Sequence, residues 1–207
     1  MPKNILVIES SHNGANSLSR KVTAETLAQL QAKYPGSTVT TRDLDKNPLP
    51  HLTGDVIAAF YTPAESRTHA LQEAIKLSDI ATDELLAADI IVIGAPMWNF
   101  SVPSVLKAWV DHVARAGRTF QYSAAGPVGL AKGKTAYLAL SRAGVYTEGP
   151  MKQMDFHDTY LRSVLGFLGI TDVHAIVAEG AAMGPDGPKN AIASAEQQLA
   201  AAIAKAA

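Results

Sequence analysis

Three short stretches carry residue types suited to chemistry, and each follows a run of apolar or small residues. The first is Ser10-Ser-His-Asn-Gly-Ala-Asn-Ser-Leu-Ser19, after ILVI at Ile5–Ile8. It is rich in hydroxyl and amide groups, and Ser17 suits the cap of a following helix. The unpaired N–H groups and positive dipole end of that helix make a phosphate cradle, together with the hydroxyls of Ser11, Ser17 and Ser19. No Lys or Arg precedes Arg20 in the loop, so dipoles rather than cations would neutralise the anion. The alternative is an ordinary cap in a polar loop. The second stretch is Ala95-Pro-Met-Trp-Asn-Phe-Ser-Val-Pro-Ser104, after DIIVIG. Bulky apolar residues are unusual in loops. Pro96, Met97, Trp98 and Phe100 could line a slot for a flat ring, with Asn99 adding an amide. Equally, Trp98 and Phe100 could simply cover the core. The third is Ser141-Arg-Ala-Gly144, where small residues let backbone approach a ligand closely, or merely turn the chain.

The elements that must position these stretches can be read from pattern. Ile5–Ile8, 37–44, 89–94, 135–141 and 173–178 read as strands. Between them, 17–34, 56–61, 67–87, 103–116 and 156–168 read as helices, and an alanine-rich helix closes the chain from Lys189. The helix over 67–87 is predicted to turn Leu71, Ile75, Ile80, Leu85 and Leu86 inward. Residues 117–134 hold four glycines and a possible hairpin at TFQY. Strands alternating with helices predict one α/β domain over residues 1–207, a parallel sheet covered on both faces. In such a sheet ligands bind at the carboxyl ends of the strands, where strand order reverses. The three chemical stretches all fall at that one edge.

Together, a phosphate cradle, an aromatic slot and a glycine turn would surround a flavin mononucleotide. A dinucleotide G-x-G-x-x-G and a G-x-x-x-x-G-K-[ST] loop are both missing, which argues for a single phosphate on a larger group. The chain also resembles the FMN-dependent NAD(P)H azoreductases, or NAD(P)H:quinone oxidoreductases, of the flavodoxin-like superfamily. The matching pieces are Ser11 with Ser17-Leu-Ser19, APMWNFSVPSVLKAWVDHVARAGRTFQY, SRAG, LGFLGITDV and AEG. The resemblance implies a five-stranded doubly wound sheet of order 2-1-3-4-5. It implies FMN, one per subunit, held by Ser11, Ser17, Leu18 and Ser19 at the phosphate. Pro96, Met97, Trp98, Asn99 and Phe100 would hold the ring and ribityl chain, and Ser141, Arg142, Ala143 and Gly144 the pyrimidine edge. The family commonly has Tyr where Trp98 stands and Gly where Ala143 stands.

By the same resemblance, NADH or NADPH passes electrons through FMN to a quinone or azo compound in a ping-pong exchange. The protein would be a homodimer with its sites at the interface, Phe120, Tyr122 and Phe167 framing the pocket. Phe167 also fits as a core residue of its helix. Tyr61, in a segment where the family varies, is a further candidate for substrate contact. The competing reading is an electron-carrier flavodoxin without a substrate pocket. Such carriers are strongly acidic, whereas this chain has net charge −1.

Composition narrows the remaining classes. At 207 residues the chain can bury a full core. It has no cysteine, so disulfides, thiolate metal sites and cysteine nucleophiles are excluded. The six histidines lack metal-ligand spacing, and His12 is expected to face solvent. No basic run supports nucleic-acid binding. No apolar stretch approaches the length of a membrane span or a signal peptide, so a cytoplasmic protein is expected.

Overall fold

In the computed structural model, which describes residues 1–205, the sheet runs along the middle of the molecule. Strands β1 (Asn4–Glu9), β2 (Thr38–Asp43) and β3 (Ile90–Pro96) are joined through helices α1 (Leu18–Lys33), α2 (Gly54–Tyr61) and α3 (His69–Ala87). Helix α4 (Ser104–Val113) leads to a separate antiparallel hairpin, β4 (Phe120–Ser123) and β5 (Gly126–Gly129). Strand β6 (Thr135–Ser141), helix α5 (Asp158–Leu168), strand β7 (Asp172–Ala178) and helix α6 (Gly187–Lys205) complete the chain. The main sheet has order β2-β1-β3-β6-β7, all parallel. Counted without the hairpin this is the predicted 2-1-3-4-5. The last two residues of the expected closing helix lie outside those described.

The apolar runs are continuous because successive side chains point to opposite faces and both faces are covered. Leu6, Ile8, Ile91, Ile93, Leu138 and Leu140 meet Leu85, Leu106, Trp109, Leu161 and Leu165 from α3, α4 and α5. Ile5, Val7, Val92, Tyr137 and Ala139 meet Val22, Leu30, Ala195 and Leu199 from α1 and α6.

Two predicted features differ. Ile80 is about half exposed, not inward. The buried stripe of α3 keeps the expected Ile75 and Leu85 and adds Ser78, Ala81 and Thr82. The two buried hydroxyls satisfy themselves internally: Ser78 donates to the His112 carbonyl at 2.6 Å and Thr82 to the Ser78 carbonyl at 2.7 Å. Helix α4 stops at Val113 rather than Ala116. There the Thr119 hydroxyl donates to the Val113 carbonyl at 2.6 Å and accepts the Arg115 N–H at 2.9 Å, replacing the next helical bonds.

Candidate functional site

The serine loop is fixed from both sides. The Ser10 hydroxyl donates to the Gly94 carbonyl at 2.7 Å, tying the end of β1 to β3. Arg20 donates twice to the Ser11 carbonyl, at 3.2 and 2.9 Å, and twice to the Asp43 carboxylate, at 2.9 and 2.8 Å. That pairing holds Asp43 below the ordinary carboxylate range and raises Arg20 further. The Arg20 guanidinium is thereby engaged with a carboxylate. Ser17 caps α1 as predicted, accepting the Arg20 N–H at 3.2 Å. Its hydroxyl lies 3.0 Å from that of Ser19, one donating to the other. The first N–H groups of a helix have no partner within it, and of these the Leu18 N–H belongs to a residue that lines the cleft beside the loop. His12 lies 2.6 Å from Asp45 on the exposed outer side.

Under this loop Glu9 is buried at 8% exposure. Burial pushes its carboxyl up to about 7, against the lowering pull of Arg20. Gly94 makes the room: a Cβ there would stand 2.5 Å from both the Glu9 carboxylate and the Thr23 hydroxyl.

The aromatic stretch forms a tight turn. Trp98 and Ser101 exchange backbone hydrogen bonds at 2.9 and 3.0 Å. Between them Asn99 and Phe100 both have positive φ, 46° and 71°. Positive φ at both central positions is the signature of a type I′ turn. Asn tolerates it; Phe does so at a cost of about 1 kcal/mol. The turn holds Trp98 at 53% exposure and Phe100 at 37%, so neither covers the core. The Met97 N–H donates to the Ser141 carbonyl at 2.8 Å, joining the turn to SRAG.

Between these stretches lies a cleft of about 400 Å³. Ser11, Asn13, Asn16, Ser17 and Leu18 make its polar end, and Pro96, Met97 and Trp98 an apolar wall. Ser141, Arg142, Ala143, Ala181 and Ala182 complete it. A smaller adjoining hollow of about 230 Å³ is lined by Met97, Asn99, Phe100, Ala143 and Tyr146. The three predicted stretches thus converge. Ser19 sits behind the cleft, fully buried, and Gly144 follows its far wall. Arg142 presents backbone only, because its side chain is wholly buried, paired with Asp155 at 2.9 Å and 3.6 Å from Glu179. The predicted substrate aromatics form a separate cluster: Phe120 stacks tilted on Phe167 at 4.5 Å and edge-on to Tyr122 at 5.5 Å. Tyr61 is exposed on α2 and lines neither hollow.

The sequence assigns no separate role to Asn13, Asn16 or Tyr146, and marks the segment after β7 only through the AEG of the resemblance. That segment runs beside SRAG, with Gly180, Ala181 and Ala182 donating to the Gly144, Arg142 and Ala143 carbonyls at 2.9, 3.2 and 2.9 Å. The strand-edge rule that selected the other loops also selects this one. Its small residues are the signal, because they keep the cleft open.

A family model described as flavodoxin-like fold matches residues 3–203. The chain is 52% identical over 189 residues to the FMN-dependent NADH:quinone oxidoreductase of Herminiimonas arsenicoxydans, covering 91% of this chain and 93% of that one. It is 49% identical over 197 residues to the protein of the same name in Azospirillum brasilense, covering 94% and 95%. The crystal structure of an azoreductase from Bacillus anthracis str. Sterne superposes with TM-score 0.89 at 32% identity, over 99% of this chain and 100% of that one. The chain belongs to the flavodoxin-like family of FMN-dependent NADH:quinone oxidoreductases and azoreductases.

Proposed function

We propose that this protein is an FMN-dependent oxidoreductase that passes electrons from NADH to quinones and azo compounds. The observation that carries the reading is one cleft that joins a hydroxyl-and-amide end at the α1 N-terminus to an apolar wall at Met97 and Trp98. Its chemistry suits FMN: dipoles and N–H groups for a phosphate, a flat apolar face for a ring. The names of the relatives point the same way.

In this reading the Leu18 N–H, with the Ser11 and Ser17 hydroxyls, would hold the phosphate, and Ser19 supports the Ser17 hydroxyl from behind. Met97, Trp98, Asn99 and Phe100 hold the ring, and Ser141, Arg142, Ala143 and Gly144 offer backbone at its polar edge. FMN supplies the chemistry that links the nicotinamide donor to the acceptor. The protein binds, orients and shelters. Backbone N–H groups near Asn99 and Gly144 would stabilise negative charge on the ring. NADH would occupy the open side of the cleft, give up a hydride and leave as NAD+ before the acceptor enters the same place. A quinone would take two electrons and two protons in one such exchange. An azo compound would take four electrons and four protons in two exchanges, its N=N bond ending as two amines; each NADH supplies a hydride and the remaining protons come from solvent. No side chain is assigned as proton donor.

We further propose a cytoplasmic homodimer with one FMN per subunit. Exposed Leu77, Ile80, Tyr122 and Phe167 support an apolar interface; lying apart from their own chain's cleft, the last two would frame the pocket only across that interface. Among the described residues no helix is long and apolar enough to cross a membrane, and no cluster could hold a metal ion. The test is steady-state kinetics with NADH and a quinone: parallel double-reciprocal lines are expected, and intersecting lines would reject the ping-pong exchange.

A further inference from the structure

The smaller hollow contains one residue that none of the flavin-binding stretches supplies, Tyr146. Its ring stands edge-on to Phe100, with centroids 6.3 Å apart and planes at 67°. Two rings at that angle make an aromatic corner, a geometry that receives a flat π system by stacking on one face and edge contact with the other. The corner opens beside the main cleft, sharing Met97 and Ala143 with it.

Tyr146 lies on a loop without regular structure, so something else must place it. Glu179, just after β7, accepts the Tyr146 N–H at 2.9 Å and the Thr147 N–H at 3.2 Å, and also the Thr147 hydroxyl. Buried Arg142 lies 3.6 Å from Glu179 and 2.9 Å from Asp155. Asp155 accepts the N–H groups of His157 and Asp158 at 3.1 Å each. Its neighbour Phe156 donates its N–H to the Phe100 carbonyl at 3.1 Å. Both rings of the corner are therefore referenced to one buried guanidinium. Gly144 fits this placement, since a Cβ there would sit 3.3 Å from the Tyr146 ring.

We infer that Tyr146 is a specificity-determining residue that receives the planar electron acceptor against Phe100, and that Glu179 is the positioning residue that holds it there. The inference rests on the proposed function. The acceptor class it implies is an aromatic or quinonoid ring, with selection between one-ring and two-ring compounds made at the corner.

The experiment compares FMN-loaded wild type with Tyr146→Ala, Tyr146→Leu, Tyr146→Phe, Glu179→Ala and Glu179→Gln. Each is assayed with NADH and either a benzoquinone or a naphthoquinone, and FMN affinity is measured separately by fluorescence. Tyr146→Ala and Tyr146→Leu are expected to raise KM for the quinone about tenfold, the scale of a lost aromatic contact. They should also change the kcat/KM ratio of the two quinones without weakening FMN binding. Tyr146→Phe keeps the ring and should keep the ratio. Glu179→Ala should move the ratio as Tyr146→Ala does, and Glu179→Gln should restore part of it, because an amide oxygen still accepts the loop N–H groups. An unchanged ratio in the Ala and Leu variants of an active enzyme would overturn the inference alone. So would a ratio that shifts only in step with lost FMN affinity. A wild type that binds FMN and reduces neither quinone would instead overturn the proposed function.

Discussion

Arg20 grips the carbonyl oxygen of Ser11 with two N–H groups, at 3.2 and 2.9 Å. The rest of its fork faces Asp43, so the loop over the helix N-terminus is clamped to the edge strand. Arg20→Ala removes the clamp and leaves Asp43 without its partner. A loss of about 1–3 kcal/mol in stability is expected from breaking a charge-assisted pair of this kind. FMN affinity should fall with it, as read by fluorescence titration beside a denaturant curve. Intact affinity in the variant would show that the loop holds its shape unaided.

The caps and hydroxyls at the same loop separate two roles. Ser17→Ala should cost about 1 kcal/mol through the lost cap alone. Adding Ser19→Ala removes the second hydroxyl of the Ser17–Ser19 pair and should weaken FMN binding while the far-ultraviolet circular dichroism persists. Unchanged FMN affinity in the double variant would move the phosphate elsewhere.

Strain at the aromatic turn makes a third expectation. Asn99 sits at φ 46°, a conformation that a β-branched residue adopts poorly. Asn99→Val should destabilise the apoprotein by about 1–2 kcal/mol, whereas Asn99→Gly should be neutral or stabilising. Thermal melts of both variants without FMN decide this. Equal melting temperatures would mean that the turn is not strained there.

The pH response of stability combines two buried groups of opposite sign. Glu9 titrates at about 7 in the fold against 4.5 ordinarily, chiefly through burial. Between those values the folded state holds a proton that the unfolded chain has lost, so this group's contribution falls as pH rises from 4.5 to 7. His157 is fully buried, and its ring is pushed down from 6.5 to about 3, first by burial and then by Arg142. There the unfolded chain holds the extra proton, so stability falls as pH drops from 6.5 toward 3. The two slopes oppose each other from 4.5 to 6.5. Glu9→Gln should raise stability at pH 8 by on the order of 2 kcal/mol and leave a stability that rises with pH over the shared range. His157→Phe should flatten the loss at acid pH. Denaturant curves at pH 5, 6.5 and 8 for the three proteins check both signs.

Much of this architecture was legible in the residues. The strands announced themselves as apolar runs because both faces of the sheet are buried, and ordinary cap chemistry marked the start of α1 at Ser17. The inward face of α3 was legible only at Ile75, Leu85 and Leu86; hydropathy does not register hydroxyls such as Ser78 and Thr82 that satisfy themselves against nearby carbonyls. The end of α4 was hidden for a similar reason: Thr119, six residues on, takes the carbonyl of Val113. At the site, the stretches at Ser11–Ser19, Pro96–Phe100 and Ser141–Gly144 were readable from residue type and position at strand ends. Tyr146 and Glu179 were not. Their relation depends on two residues 33 apart, each in the loop that follows a strand, meeting at one sheet edge, which local pattern does not encode.

The most direct test of the account is an anaerobic titration of the FMN-loaded protein, first with NADH and then with a quinone, followed by visible absorbance. The account predicts that stoichiometric NADH removes the oxidised flavin absorbance and that quinone restores it, with no other protein present. A protein that binds no FMN, or whose bound FMN is unchanged by NADH, would contradict it.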